Sequence, residues 1–164
     1  MKSKRFIHIS DLHFSKYDGS KSTKEEISHF NIKKKIFDYI GIVIENQNIG
    51  AVIISGDLEL DSVNDIIPYF KEWLSRGSKI FIAFGEHDKK EKRLELILET
   101  IGLENIYFFD EPKMIKDKEL DFAVYGMSCE PKQNGFKNKF NSLNNLELEI
   151  PSILLTHPCK LPIL

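Results

Sequence analysis

Short apolar runs alternate with longer stretches of helical period along the first half of the chain. Phe6-Ile7-His8-Ile9, within Arg5 to Ser10, is dense in β-branched and aromatic residues and stops at a polar stretch, which predicts a buried strand. Ser10 to Lys24 carries Gly19, serines and a threonine with no apolar period, and reads as a loop. From Glu25 to Gln47 the residues Ile27, Phe30, Ile32, Ile36, Phe37, Ile40 and Ile44 recur at three- and four-residue steps, the spacing of an amphipathic helix with Ser22 or Thr23 as its N-cap. Ala51-Val52-Ile53-Ile54-Ser55, closed by Gly56-Asp57, predicts a second strand. Asp61 to Arg76 predicts a helix with Ile66, Ile67, Phe70, Trp73 and Leu74 on one side and Gly77 as its stop. Lys79 to Phe84, ending at Gly85, predicts a third strand, and Lys89 to Ile101, stopped by Gly102, a short helix.

Strands apolar along their whole length need cover on both faces. That argues for an α/β fold with a parallel sheet and helices on each side. The second half of the chain differs in character. Asn105 to Phe109, Lys113 to Lys116, Leu120 to Gly126 and Ser152 to Thr156 are short strand candidates, with Asp117-Lys118-Glu119 as a hairpin turn. Ser128 to Asn145 is polar and reads as an irregular loop. With no repeat and no linker, residues 1–164 read as a single domain.

Composition narrows the class. The chain has 164 residues, with 23 Lys+Arg against 25 Asp+Glu, a formal net charge of −2. A hydrophobic share of 41% and a charged share of 29% exclude collagenous, low-complexity or wholly disordered chains. A pI near 6.2 excludes attachment to nucleic acid by bulk charge, so a polyanion would need a local patch. Arg5, Arg76 and Arg93 are the only arginines, so bidentate phosphate forks are few. Cys129 and Cys159 form no CxxC pair, and the apolar run after the basic start at Met1 to Arg5 is too short for a signal segment or a membrane span. The expected setting is cytoplasmic, away from any membrane.

The candidate chemistry lies where the strands end. In α/β sheets ligands bind beyond the carboxyl ends of the strands. Asp11 and His13 follow the first predicted strand, Asp57 the second, Glu86, His87 and Asp88 the third, and His157 the last. Acids gathered at one rim repel: two like charges ~4 Å apart cost about 4 kcal/mol at an effective dielectric of ~20. A divalent cation reverses that sign, and mixed carboxylate and imidazole ligands suit Mn²⁺, Fe²⁺ or Zn²⁺ better than Ca²⁺.

Taken in order, Asp11-Leu12-His13, Gly56-Asp57-Leu58, Gly85-Glu86-His87-Asp88 and Leu155-Thr156-His157-Pro158 resemble the motifs of the calcineurin-like metallophosphoesterases. The resemblance implies a β-sandwich flanked by helices, in four layers α/β/β/α, and two divalent metal ions. It implies that Asp11 and His13 hold the first ion and that Asp57 bridges both. Glu86 and His157 would hold the second, while His87 contacts the phosphate and protonates the leaving group, oriented by Asp88. The implied reaction is hydrolysis of a phosphomonoester or phosphodiester by metal-activated water. Small phosphoesters and nucleic acid fit equally as substrates.

The chain departs from the family pattern in two respects. Glu86 stands where the family has asparagine, exchanging a neutral carbonyl and an N–H donor for acceptors and a negative charge. The family's terminal Gly-His-x-His motif is missing, and the apolar end Lys160 to Leu164 reads as a chain cut inside its domain. Both leave room for a non-catalytic binding or scaffold module on the same fold. Elsewhere, His8 reads as a satisfied sheet histidine, His29 as a solvated helix residue and Lys89 to Arg93 as a solvated face. The basic and aromatic alternation of Lys132, Phe136, Lys137, Lys139 and Phe140 reads as a surface loop.

Overall fold

The computed structural model describes residues 5–14, 24–59, 62–85, 88, 102–128 and 150–157, with 24–29 and 63 described by backbone only. The elements run β1 (Phe6–Ile9), α1 (Lys24–Gln47), β2 (Ala51–Ser55), a 3₁₀ turn (Val63–Asp65), α2 (Ile67–Ser75), β3 (Lys79–Ala83), β4 (Ile106–Phe108), β5 (Lys113–Lys116), β6 (Ala123–Met127) and β7 (Ser152–Thr156). The first four strands form one parallel sheet in the order β1-β2-β3-β4. In the other sheet β5 pairs antiparallel to β6, and β6 pairs parallel to β7. The fold is α/β with a parallel sheet, as the alternation of runs and helical stretches predicts.

Every residue of β2 and β3 is buried, and the period of two divides them cleanly. Val52, Ile54, Ile80 and Ile82 share a cluster with Phe37, Ile40 and Ile44 of α1 and with Phe70 and Trp73 of α2. Ala51, Ile53, Phe81 and Ala83 share another with Val124 of β6 and Leu155 of β7. The expectation of helices on both faces of the sheet is corrected for the described residues: α1 and α2 lie on one face, and residues of the second sheet cover the other. The consecutive order β1-β2-β3 explains this, because parallel neighbours joined by crossovers of the usual right hand carry α1 and α2 past the same side. The predicted helix over Lys89 to Ile101 lies outside the described residues, as do the N-cap candidates Ser22 and Thr23, both cysteines and most of the polar stretch after Ser128.

Two helices depart from their sequence patterns. On α1 the buried stripe is Phe30, Phe37, Ile40 and Ile44, whereas Ile32 and Ile36 are about half exposed, beside Tyr39 and Ile42. Spacing alone does not separate two apolar stripes on one helix. α2 begins at Ile67 rather than near Asp61, with Pro68 in its first turn, where a missing N–H costs nothing. It closes at Gly77, whose φ of +87° lets its N–H reach the Leu74 carbonyl at 2.9 Å. Phe70 and Trp73 are fully buried as expected, and Trp73 stacks on Phe37 with ring centroids 5.2 Å apart.

Candidate metal centre

The loop after β1 is held along the loop after β2 by main-chain hydrogen bonds. The N–H groups of Asp11, His13 and Phe14 donate to the carbonyls of Gly56, Asp57 and Leu58 at 3.2, 2.9 and 2.8 Å. Phe14 is fully buried against Phe30 and Phe37 and anchors this loop in the helix-side core. Ligand atoms of Asp11, His13 and Asp57 thereby come within 4.8 Å of one another, a set able to hold a cation. His157, carried on the end of β7, brings its Nε2 to 3.4 Å from Asp57 Oδ2, and His13 Nε2 lies 4.0 Å from the same oxygen. Asp57 and His157 are buried, while Asp11 is exposed.

Both imidazoles are held from behind. His157 Nδ1 faces the Ser55 carbonyl at 2.9 Å, and His13 Nδ1 contacts the Glu59 carboxylate. A carbonyl or a carboxylate only accepts, so in each neutral ring Nδ1 carries the proton and Nε2 presents a lone pair. Two lone pairs facing one carboxylate oxygen is an unfavourable arrangement that a cation between them turns favourable. The donor chemistry fits a divalent ion, with the second ring nitrogen engaged as metal-binding histidines require.

The backbone is bent to this purpose. Asp11, His13, Asp57 and Glu59 all have positive φ, at 51°, 41°, 52° and 41°. Such conformations are uncommon for residues with a Cβ, and they gather at functional sites. Two glycines make the close approaches possible. A Cβ on Gly56, whose φ is +81°, would meet the His157 ring at 2.4 Å, and one on Gly85 would meet Asp57 Oδ1 at 2.0 Å.

Of the residues expected at the rim, Asp11, His13, Asp57 and His157 are gathered in one place, and Glu86 and His87 lie outside the described residues. Asp88 is 2% exposed. Its Oδ1 accepts from the Glu59 N–H at 2.8 Å and its Oδ2 from the Gly85 N–H at 2.9 Å, so it ties the loop after β3 to the loop after β2. His8 is exposed and satisfied, its Nε2 2.7 Å from Ser55 Oγ. Glu59 belongs to none of the strand-end motifs, although its place two residues after Asp57 repeats the spacing of Asp11 and His13.

No helix among the described residues is long and apolar enough to cross a membrane. Comparison with protein families finds that the model described as calcineurin-like phosphoesterase matches residues 4–157. No curated protein matches the chain.

Proposed function

The chain belongs to the calcineurin-like phosphoesterases, and from that premise we propose that its rim binds two divalent ions and hydrolyses a phosphomonoester or phosphodiester. The observation that carries the reading is the placement of Asp57, whose Oδ2 lies 4.0 Å from His13 Nε2 and 3.4 Å from His157 Nε2. Asp11, His13 and Asp57 would hold one ion, and Asp57, Glu86 and His157 the other. The donor set favours Mn²⁺, Fe²⁺ or Zn²⁺. Such ions, when bound, polarise a phosphoryl oxygen and lower the pKa of water toward ~7.

The chain's own groups do the rest. His87 would contact the phosphate and give a proton to the leaving oxygen. Asp88 supports it by pinning Gly85, two residues before His87, through the Gly85 N–H. Gly85 leaves Asp57 room to point into the rim. The acid-lined rim and the scarcity of arginine leave lysines and the ions themselves to attract the phosphoester. Small phosphoesters and nucleic acid both meet these terms.

The test is hydrolysis of bis(p-nitrophenyl) phosphate and of a labelled oligonucleotide in Mn²⁺, with chelator and Asp57→Asn as controls. Metal-dependent turnover abolished by Asp57→Asn is the expected result. A second reading, a non-catalytic phosphate-binding module, is favoured by Glu86 in the family's asparagine position. Protein that binds Mn²⁺ and turns over neither substrate, even as Glu86→Asn, would replace the enzyme by that module.

A further inference from the structure

We infer that Glu59 is a positioning residue for His13, and that Asp88 holds Glu59 in place, so that the loops after β2 and β3 jointly set metal affinity at the rim. The inference rests on the metal-binding reading above and adds a residue and a coupling to it. His13 is only partly buried, with 41% of its side chain exposed, so its ring is not fixed by packing alone. The Glu59 carboxylate engages Nδ1. With the proton confined to Nδ1, the Nε2 lone pair is directed toward Asp57 Oδ2. Without that partner the Nδ1–H form loses its carboxylate acceptor, and a smaller part of the population presents Nε2.

Glu59 reaches His13 because its backbone is held at a φ of +41°, a conformation its side chain disfavours. The constraint comes from another loop. Asp88 Oδ1 accepts the Glu59 N–H while Oδ2 accepts the Gly85 N–H, and the carboxylate is almost wholly buried. Strain held at one residue by a buried bridge between two loops is the mark of a conformation kept for its side chain. The chain of contacts runs from Asp88 through Glu59 to His13.

Three substitutions and one double variant test this with two readouts, Mn²⁺ affinity by calorimetry and the tautomer of His13 by imidazole ¹⁵N shifts in metal-free protein. Glu59→Gly removes the carboxylate and relieves the positive φ, so its thermal stability should equal or exceed that of the parent. Its Mn²⁺ affinity should nevertheless fall by roughly 10–100-fold, with His13 losing its preference for the Nδ1–H form. Glu59→Gln keeps an acceptor oxygen and should restore most of both. Asp88→Asn should weaken binding less, and add nothing once Glu59 is glycine. Parental affinity in Glu59→Gly, or lower affinity with an unchanged His13 tautomer, would overturn the inference. If the parent binds no Mn²⁺, or Asp57→Asn binds it equally well, the metal reading falls, and the role in metal affinity falls with it. The tautomer shift in metal-free protein would still report whether Glu59 holds His13.

Discussion

Polar clusters occupy the opposite ends of the same strands, and they are balanced in different ways. At the amino end, Lys79 opens β3 and places its ammonium 2.9 Å from both Asp117 and Glu119 of the turn that joins β5 to β6. The Tyr107 hydroxyl donates to Asp117 at 3.5 Å, and Asp117 Oδ1 takes the Glu119 N–H at 2.8 Å. Burial draws the Lys79 ammonium down, but its bonds to Asp117 and Glu119 outweigh that and leave its pKa above the ordinary lysine value. Burial likewise pushes the Asp117 carboxyl up, and the Lys79 bond, the Glu119 N–H and the Lys79 charge bring it below the usual carboxylate range. At the carboxyl end, acids face imidazoles whose Nδ1 protons are already engaged. The amino end carries its own cation and staples the two sheets together. The carboxyl end gathers a donor set that could hold a cation from solution.

The largest effect should come from filling the close approach at the rim. Gly85→Ala puts a methyl 2.0 Å from Asp57 Oδ1, which must turn away, and 2.6 Å from its backbone nitrogen, which cannot yield without moving the loop. Overpacking of this kind costs about 1–3 kcal/mol, and calorimetry should find Mn²⁺ binding lost along with it. Gly77→Ala is the control: its Cβ meets nothing, so it should lower stability through its φ of +87° alone and leave Mn²⁺ binding intact.

Next in size is the opposite manoeuvre, removing the built-in cation. Lys79→Met leaves the Asp117 carboxylate, 12% exposed, beside no ammonium and should cost about 1–2 kcal/mol in denaturant unfolding, with metal affinity untouched. The pH dependence follows from the two shifts. Asp117 titrates lower in the native state than unfolded, so its contribution is present above the ordinary carboxylate value near ~3.9 and is lost as pH falls through the lowered native one. Lys79 titrates higher in the native state, so its contribution is present below ~10.4 and is lost as pH rises through the raised native value. Both limbs should flatten in Lys79→Met when unfolding is followed across pH.

The smallest effect should be that of Glu119→Gln. Its side chain is 77% exposed although it is as close to Lys79 as Asp117 is. Solvent screens such a pair, and the expected loss is about 0–1 kcal/mol, smaller still at high salt. A loss as large as that of Lys79→Met would mean that the amino-end cluster works as one unit rather than through Asp117.

The strands and the rim differ in how much the linear order of residues disclosed. β2 lies where its apolar run places it, since a strand buried on both faces leaves an unbroken signal, and β5 and β7 keep their expected bounds although both are only partly buried. Asp11, His13, Asp57 and His157 were legible because each follows a strand end, and parallel strands deliver their ends to one side. Ile32 and Ile36 misled because helical spacing records an apolar stripe without recording whether anything covers it. Glu59 is not legible in the sequence, because no short motif marks a residue that contacts a ligand from behind.

By itself, then, the sequence determined the elements, the α/β class and the residues available to a metal, because these follow from local pattern and from chemistry at strand ends. Tertiary structure alone decided that both described helices share one face of the sheet. It also decided that Asp57 lies within 4.0 Å of two imidazoles, that Lys79 meets Asp117, and that Asp88 reaches across to Glu59. Those contacts join residues separated by 29 to 100 positions, and the order of strands that makes them neighbours is written in no single stretch of chain.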